Sequence, residues 1–517
     1  MKLSRITASL TTMAVVATLV GVASVATATP AQALTASQAD SAYNAFVATY
    51  WDPTAKYFYT YSDHQVHSEH AVGPQGGKYT DYWWEAQLWQ MVMDKYQRTG
   101  DGASRAMIDD VFDGFKAAYP DFTANDWNDD MGWWAQGSIR AYELTGETRF
   151  LDEAKSIFAY ISRYEDTTYG GGIWWKNVNV GNGSLNEKNV ATNGTAIATA
   201  LRLYKATGDT SYRDTAERLY SWLDTNFNRN SHIRDHVSGT GQFTDYDWTY
   251  NQGQFAEAAL QMYLATNTPS YLTEATGAID WATANLTSSG TFLYEGDADT
   301  AGFKAILTRD IRDLISAGGQ TQYENLLTSN ASQAANHLDS SGIGGYDWTA
   351  PAPELATQPL QSLGTGAAVA IMQQAVPDGS TAVVEGSGVY EAENAVRVGV
   401  NSESSNSGYT GRGYLAGWNT DGTNVTFHVN VDVAGTYPVT FHYAAAAGAA
   451  TRQLLHQGTT VATVTFPATS TWTSWTTTTI AVPLTQGSNA IELNLDAGQG
   501  NTNYLNLDSA AIDLTAH

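Results

Sequence analysis

The chain has 517 residues, a formal net charge of −26 at pH 7 and no cysteine, and 12% of its residues are aromatic, including 16 tryptophans. This length exceeds what one hydrophobic core usually serves, so we expect two domains. The negative charge argues against nucleic acid or an anionic membrane as a partner and suits a neutral polymer, and the lack of cysteine excludes disulfides and thiol chemistry.

The first 33 residues have the pattern of a secretory signal peptide. Lys2 and Arg5 precede an apolar run over about residues 6–25, and Ala31-Gln32-Ala33 is a small-x-small cleavage site. We therefore expect export and a mature chain that begins near Leu34. No other apolar run reaches the ~18 residues that a membrane span needs, so we expect a soluble secreted protein, and we expect it to be a monomer.

A five-residue motif occurs four times in the part of the chain that follows. Each copy ends a helical pattern with Gly or Asn, which accept a left-handed backbone, and a second helical pattern begins at once. This arrangement is typical of helix hairpins in tandem. The four copies span residues 96–100, 142–146, 204–208 and 263–267.

The 3.6-residue apolar period predicts six such hairpins. The second helix of each is richer in Gly, Ala and large apolar residues, as expected for helices packed on all sides, so we predict an (α/α)6 barrel over residues 34–376 with the second helices inside. The first helices are expected near residues 37–50, 102–118, 148–163, 210–226, 270–286 and 319–338. Their partners are expected near residues 80–98, 129–144, 190–206, 250–265, 302–315 and 357–375.

The composition changes after Val376. Residues 377–388 contain two Gly- and Ser-rich turns and predict a short flexible linker. Beyond it, short runs that alternate Thr or Val with aromatic residues, such as 425–431 and 437–443, are separated by Gly and Asn turns. This pattern predicts a β-sandwich of the jelly-roll type over residues 389–517.

A cluster of acids and aromatic residues marks the start of the second predicted inner helix. Asp129 and Asp130 are adjacent there, flanked by Trp127, Trp133 and Trp134. Cleavage of a glycosidic bond needs one carboxyl that protonates the departing oxygen and another that attacks or stabilises the anomeric carbon, and indole faces hold pyranose rings. An isolated Asp pair at a helix start is most often a cap, so the neighbouring loops must support the interpretation.

The loops that lead into the inner helices all open at one end of the predicted barrel, which we take as the mouth of a site. Consecutive Cα atoms lie about 3.8 Å apart, so the carboxyls of Asp129 and Asp130 are expected near the ~5 Å separation of a retaining pair. Should the reaction invert instead, Asp247 is the next candidate for the base. Trp133 and Trp134 point about 100° apart on a helix, so at most one is expected to line the cleft.

Four motifs, taken in order, resemble glycoside hydrolase family 76, whose members are endo-acting α-1,6-mannanases of (α/α)6 fold. The resemblance implies retaining hydrolysis of α-1,6-linked mannan through a covalent glycosyl-enzyme, with Asp129 as the nucleophile and Asp130 as the acid/base. It implies no cofactor for catalysis. The motifs are residues 128–134, 170–175, 188–193 and 249–253.

Further residues of these loops are candidate contacts for the sugar. Aromatic faces and side chains that hydrogen-bond hydroxyl groups are the types expected, although a helix cap with a buried polar network would explain residues 249–253 equally well. The predicted substrate-binding residues are Trp133, Trp134, Trp174, Trp175, Asn193, Asp247, Tyr250 and Asn251.

The C-terminal part resembles carbohydrate-binding modules of families 35 and 6, through residues 390–394, 413–418 and 503–508. The resemblance implies a structural Ca2+ held by Glu391, Glu393 and Asp508. Alternate acids on a strand share one face, where an ion or a proton would relieve their repulsion. The alternative is an exposed strand without an ion. The candidate sugar-binding residues of this module are Tyr409, Trp418, Trp472 and Asn503.

Two other functions remain open: a transglycosidase, in which a sugar hydroxyl captures the covalent intermediate, and a nonhydrolytic polysaccharide-binding protein.

His64, His67 and His70 have a spacing that suggests a zinc site. The glycines and proline that follow them indicate a loop, however, which favours the interpretation that these histidines form a polar wall of the cleft. The sequence contains no Gly-x-Ser-x-Gly elbow and no phosphate-binding loop, so acyl and phosphoryl transfer have no support.

Overall fold

The computed structural model describes residues 34–375 and 388–513, apart from Gly100, Gly146, Arg412, Asp432 and Gln499. The predicted signal peptide and nearly all of the predicted linker lie outside these residues. Within the described ranges, no helix combines the length and the apolar character that crossing a membrane requires.

Residues 34–375 contain two sets of six helices that alternate along the chain. Each inner helix contacts the next, and the last inner helix closes the ring against the first, which confirms the predicted (α/α)6 barrel. The outer helices are α1 (Ala36–Tyr50), α3 (Gly102–Ala118), α5 (Thr148–Ile161), α7 (Thr210–Phe227), α9 (Pro269–Asn285) and α11 (Glu324–Asn336). The inner helices are α2 (Tyr82–Thr99), α4 (Asn128–Thr145), α6 (Val190–Thr207), α8 (Thr249–Thr266), α10 (Phe303–Ser316) and α12 (Ser362–Ala375).

The turns between helices follow the predicted chemistry. Gly208 (φ 73°) and Asn267 (φ 52°) adopt the left-handed conformation, and their N–H groups donate to the carbonyls of Tyr204 and Tyr263. Asp209 then caps α7 by accepting from a backbone N–H in its first turn. The inner helices are buried on nearly every side; in α6 every residue from Val190 to Leu203 is buried.

The last inner helix begins later than its apolar pattern predicts, at Ser362 instead of about residue 357. Pro359 has no N–H to donate and disfavours helical geometry in the residue before it. Gln361 instead forms an isolated bridge with Tyr61, which ties this loop to the first hairpin.

Residues 388–513 form two antiparallel sheets that enclose one hydrophobic core, as predicted for a β-sandwich. The strands are β1 (Val389–Glu391), β2 (Val396–Val398), β3 (Asn401–Glu403), β4 (Tyr414–Ala416), β5 (Asn424–Val431), β6 (Gly435–Ala444), β7 (Ala450–His456), β8 (Thr459–Phe466), β9 (Thr476–Leu484), β10 (Gly487–Asn494) and β11 (Asn506–Ile512). One sheet has the order β3-β4-β11-β6-β9, with β1 also paired with β11, and the other has the order β2-β5-β10-β7-β8.

The sandwich contacts the barrel where the inner helices end. Arg397 of β2 is buried and donates to the carbonyls of Glu393 (2.8 Å) and of Glu143 in α4 (3.3 Å). The Glu143 carboxylate in turn pairs with Lys205 of α6 at 3.1 Å. Asp129 lies at the opposite, N-terminal end of α4, so the sandwich leaves the mouth of the barrel open.

Candidate active site

A cleft of about 850 Å³ opens at the end of the barrel where the inner helices begin. Asp129 and Asp130 line it from the first turn of α4, and Trp133 lines it from the following turn. Trp175 contributes from the loop before α6, and Tyr250 from the first turn of α8. Five of the predicted site residues are therefore brought together in one cleft.

The start of α4 is fixed by the loop over residues 170–175. The N–H of Asn128 donates to the carbonyl of Trp175 at 2.6 Å, and its side-chain amide donates to the carbonyl of Trp174 at 2.7 Å. Asn128 is fully buried, so these bonds are shielded from water. They hold the loop that carries the Trp175 indole against the turn that carries the aspartates.

The Asp129 carboxylate receives two N–H donors. Its Oδ2 accepts from the Trp175 indole at 2.8 Å, and its Oδ1 accepts from the backbone N–H of Asp130 at 3.0 Å. Burial in the cleft wall raises the pKa of Asp129 to about 7, although both donors favour its ionised form. Asp129 is thus held in one orientation and is ionised at neutral pH in a substantial fraction of molecules.

Asp130 has a different environment. Among the described residues, its one hydrogen-bond donor is the side-chain amide of Asn125, at 3.2 Å. Burial and the neighbouring charge of Asp129 raise the pKa of Asp130 well above its usual value, and Asp81 and Asp299 add to the effect. Asp129 therefore ionises first while Asp130 keeps its proton. A nucleophile must be ionised and a general acid must be protonated, so these two protonation states suit Asp129 to the first role and Asp130 to the second.

The cleft wall also contains several residues that sequence analysis did not assign to the sugar, among them His70, Asp81 and Asp299. His70 Nε2 lies 2.8 Å from the Asp81 carboxylate, and Asp299 Oδ1 accepts from the indoles of Trp84 (2.8 Å) and Trp83 (3.2 Å). Asp299 precedes α10 and lies more than 200 residues from both tryptophans in the chain. No local pattern could therefore have linked Asp299 to the two tryptophans.

The three histidines do not form the alternative zinc site. His64 Nε2 lies 2.8 Å from the carbonyl of Thr49, and His67 lies 2.9 Å from the carboxylate of Asp63. Across the described residues, no three His, Cys, Asp or Glu side chains are grouped to hold a metal. Of the three, His70 lines the cleft, which agrees with the interpretation as a polar wall.

The prediction that Trp134 contacts the sugar is corrected by the structure. Its ring lies 3.7 Å from that of Phe115 and 5.2 Å from that of Trp89, measured between centroids, and its Nε1 donates to the carbonyl of Tyr82. It is completely buried in the barrel wall, whereas the adjacent Trp133 reaches the cleft. The expected divergence of neighbouring helix residues explains the difference.

Trp174 and Asn193 are also buried and do not line the cleft. The Asn193 amide accepts from the N–H of Ile173 at 2.7 Å and donates to its carbonyl at 3.0 Å, so both of its ends are used. The Trp174 ring packs beneath the ammonium group of Lys188, 5.1 Å away. Both residues shape the loop that presents Trp175 and lie outside the cleft lining.

Asn251 and Asp247 likewise lie outside the cleft lining. The buried Asn251 amide donates to Asp235 Oδ1 at 2.9 Å, and the same oxygen accepts from the hydroxyl of Tyr250 at 3.0 Å. Asn251 therefore belongs to the buried polar network that was the alternative for this motif. Asp247 is largely exposed on the loop before α8, where it pairs with His232 at 2.9 Å.

In the sandwich, the three predicted calcium ligands gather around the turn at Thr410. Its N–H and hydroxyl donate to Asp508 at 2.8 and 2.7 Å, and its hydroxyl also lies 3.1 Å from Glu391. A Cβ added at Gly411 would lie 2.4 Å from Glu393 Oε1, so that carboxylate faces the same turn. The donor set has the hard oxygens that Ca2+ prefers, but in their present positions Glu391, Glu393 and Asp508 do not form a group that could hold a metal ion.

The predicted sugar-binding residues of the sandwich are only partly at its surface. Trp418 is fully buried, and its Nε1 donates to the carbonyl of Thr423 at 3.0 Å, so it belongs to the core and is corrected. Tyr409, Trp472 and Asn503 are partly exposed. Tyr504 is a residue that the sequence analysis missed: it is 45% exposed, and its hydroxyl accepts from the Asn419 amide at 2.7 Å.

Comparisons with known proteins agree with this architecture. The model of Glycosyl hydrolase family 76 matches residues 35–381, and that of Carbohydrate binding module (family 35) matches residues 388–511. The α-1,6-mannanase GH76A of Salegentibacter sp. has a similar fold, with a TM-score of 0.58 and 24% identity over 66% of this chain and 98% of that one. A solved complex of the same enzyme holds α-1,6-mannotriose in an inactive variant in which two adjacent aspartates are asparagines.

Two curated relatives match different lengths of this chain. The mannan endo-1,6-alpha-mannosidase DCW1 of Saccharomyces cerevisiae is 27% identical over 52% of this chain and 66% of its own length. The isomaltosyltransferase of Sporosarcina globispora is 37% identical over 24% of this chain and 11% of its own length. The chain thus spans less than two thirds of each of these relatives. Because the family model covers most of the chain around the paired aspartates, the chain belongs to glycosyl hydrolase family 76.

Proposed function

We propose that the barrel is a retaining endo-α-1,6-mannanase that cleaves the backbone of α-1,6-mannan through a covalent glycosyl-enzyme. One observation carries the proposal: Asp129 and Asp130 face the same cleft, and the pKa of Asp130 is raised further than that of Asp129, so the two carboxyls ionise unequally. In a double-displacement reaction, one carboxyl must be ionised when the other is protonated.

In the first step the Asp129 carboxylate attacks the anomeric carbon, and Asp130 gives its proton to the departing glycosidic oxygen. In the second step Asp130, now ionised, takes a proton from water, whose oxygen attacks the anomeric carbon and releases Asp129. The Trp175 indole and the N–H of Asp130 hold the nucleophile in place throughout. Trp133 and Trp175 line the same cleft as the pair, so we expect parts of their rings to contact the sugar.

The cleft and the comparisons both support this substrate class. None of the described residues that line the cleft is Lys or Arg, and the nearby Lys176 ammonium lies over the rings of Trp175 and Trp127. The lining itself therefore suits a neutral sugar better than a carboxylated one. The similar Salegentibacter enzyme is an α-1,6-mannanase that binds α-1,6-mannotriose, and the yeast relative is a mannan endo-1,6-alpha-mannosidase. A neutral mannan also suits a protein with a net charge of −26.

The test is the release of reducing ends from linear α-1,6-mannan, with the products identified by mass. We expect a ladder of α-1,6-manno-oligosaccharides and no release from β-1,4-mannan. A folded protein that releases nothing from α-1,6-mannan would contradict the proposal. Products longer than an added oligosaccharide substrate would show that transglycosylation, the alternative reaction, dominates.

We infer that the sandwich binds Ca2+ through Glu391, Glu393 and Asp508, with other oxygen donors completing the ligand set. Three carboxylates around one turn are stabilised by a cation, and a cation bound only in the folded state raises its stability. Chelation should therefore lower the melting temperature of the full chain, and added Ca2+ should restore it. Identical melting curves with chelator and with Ca2+ would contradict the inference.

We propose that the loop surface around Tyr504 and Asn503 binds polysaccharide and holds the barrel near its substrate. Tyr504→Ala should lose most retention on insoluble α-mannan while activity on a soluble oligosaccharide stays unchanged, because the module adds proximity and no chemistry. Val461→Ala, which changes an exposed apolar residue on strand β8, is the matched control and should be retained like the wild type. Equal retention of both variants would place the binding surface elsewhere.

We also propose that the protein is exported after cleavage near Leu34 and acts as a monomer. The N-terminal sequence pattern supports export, and the match to the family model begins at residue 35. Sequencing the N-terminus of protein recovered from culture medium tests the cleavage site, and its sedimentation tests the oligomeric state.

A further inference from the structure

A series of aromatic rings continues from the cleft onto the surface beside it. Phe303 and Tyr250 line the cleft, with ring centroids 4.3 Å apart. Trp248 packs against Phe303 at 5.7 Å, and Tyr246 lies 6.1 Å beyond Trp248. Trp248 and Tyr246 do not belong to the cleft lining. We call these two residues the aromatic extension.

The aromatic extension is exposed although its rings are large. Tyr246 has 50% of its surface accessible, and Trp248 is partly exposed. A protein gains nothing for its own stability from apolar rings left in water, and contiguous patches of this kind commonly mark binding surfaces. The rings are also continuous with a cleft that is itself built to hold sugar, which identifies the ligand expected there.

The backbone that carries the extension is held in place before any ligand arrives. The carbonyl of Tyr246 accepts from the buried amide of Asn251 at 3.1 Å. One residue earlier, Asp245 pairs with Arg234 at 3.2 Å. The preceding chain forms a small antiparallel sheet from residues 187–189, 236–238 and 242–244. A surface ordered in this way loses little entropy when it binds a ligand.

Polar groups accompany the rings, as recognition of a sugar requires. Asp247 lies between Tyr246 and Trp248 in the chain, and its side chain is 59% exposed. His236 lies 5.9 Å from the Tyr246 ring and pairs with the buried Asp235 at 2.7 Å. A pyranose has an apolar face that packs on a ring and hydroxyls at its edge that bond to such groups.

We propose that Tyr246 and Trp248 form a distal binding site for further mannose units of the chain that occupies the cleft. The proposal rests on the proposed function, since the bound chain is the α-1,6-mannan that the barrel cleaves. Short substrates that fill only the cleft gain nothing from the extension. Longer chains reach it, so the enzyme prefers long substrates for a structural reason.

The experiment compares Tyr246→Ala with the wild-type full chain on α-1,6-mannotriose and on the corresponding linear hexaose. The variant should lower kcat/KM for the hexaose by roughly two- to tenfold, the loss expected for one aromatic contact, mainly through KM. Its kcat/KM for the triose should not change. Trp248→Ala should also lower kcat/KM for the hexaose and leave that for the triose unchanged, and its effect on the hexaose should be larger than that of Tyr246→Ala. The melting temperature of each variant shows whether it is folded.

Tyr294→Ala is the matched control, because Tyr294 is 49% exposed and lies on the loop before α10. This control should behave as the wild type on both substrates. If Tyr246→Ala lowers kcat/KM equally on triose and hexaose, or on neither, the distal site is contradicted while the proposed function stands. If the wild type cleaves neither oligosaccharide and no α-1,6-mannan, the proposed function fails and the distal site fails with it.

Discussion

Asp129→Asn is expected to abolish cleavage of α-1,6-mannan, with a loss of more than about 10^4-fold in kcat and no loss of the fold. The amide cannot form the covalent intermediate, and no other carboxylate in the described part of the chain accepts from both the Trp175 indole and the backbone N–H of Asp130. The variant keeps the size and polarity of the side chain, so its circular dichroism and melting curve should match those of the wild type. Turnover is measured as reducing ends released.

Asp130→Asn should show a different pattern. Loss of a general acid costs about 10²- to 10⁴-fold on the natural linkage. An aryl α-mannoside with a good leaving group needs little protonation and should lose much less in the first step. External azide should then restore turnover, because it needs no general base when it attacks the intermediate.

The control for both variants is Asp247→Asn, since Asp247 lies outside the cleft and is the alternative base for an inverting reaction. It should retain activity near that of the wild type on α-1,6-mannotriose, which is too short to reach the aromatic extension beside Asp247. If Asp130→Asn is inactive on every substrate and Asp129→Asn is the variant rescued by azide, the two roles are exchanged. If Asp247→Asn is as inactive as Asp129→Asn, the covalent mechanism itself is contradicted.

The second large effect concerns pH. Asp129 must be ionised to attack, and burial raises its pKa to about 7, so kcat/KM should fall as the pH drops below about 7. The alkaline limit should follow loss of the proton of Asp130, whose pKa burial and the charge of Asp129 raise well above its usual value. The profile should therefore be bell-shaped, and its two limits describe the pair and not either residue alone.

Trp175→Phe should move the acidic limit to higher pH. The substitution keeps a ring in the cleft and removes the indole N–H that bonds to Asp129 Oδ2 at 2.8 Å. A hydrogen bond to a charged group contributes about 1.5–3 kcal/mol, so its loss should raise the pKa of Asp129 by roughly one unit or more. Activity at pH 6 should thus fall more than tenfold, with a smaller loss at pH 8.

Trp127→Phe provides the matched control. Trp127 also lines the cleft and is 40% exposed, but Asp129 accepts from Trp175 instead. The control should keep the acidic limit of the wild type. Equal acidic limits for Trp175→Phe, Trp127→Phe and the wild type would contradict the account of how Asp129 is kept ionised.

The barrel could be predicted from local patterns because each hairpin is a local unit. The 3.6-residue period located the twelve long helices of the described barrel but not the short helix Pro74–Gly77, and the motifs that end at Gly208 and Asn267 located left-handed turns. Where a boundary was misplaced, as at α12, the proline at 359 acted against the apolar period. The paired aspartates could be found because they are adjacent in sequence.

The rest of the cleft could not be predicted because it is assembled from distant loops. Asp299 meets Trp83 and Trp84 across more than 200 residues, and no short motif contains both sides. The misassigned residues show a second limit. Asn193 and Trp418 are of types that bind sugars, but the same types satisfy buried backbone groups and fill cores, and only burial separates the two uses.

The stereochemistry of the first product tests the central claim most directly. Proton NMR can follow the anomeric signal during the first minutes of cleavage of an α-1,6-manno-oligosaccharide, before mutarotation mixes the anomers. Two displacements at the same carbon, the first by Asp129 and the second by water, predict that the α-anomer forms first. Initial formation of the β-anomer would show a single displacement by water, and would contradict the assignment of Asp129 as nucleophile.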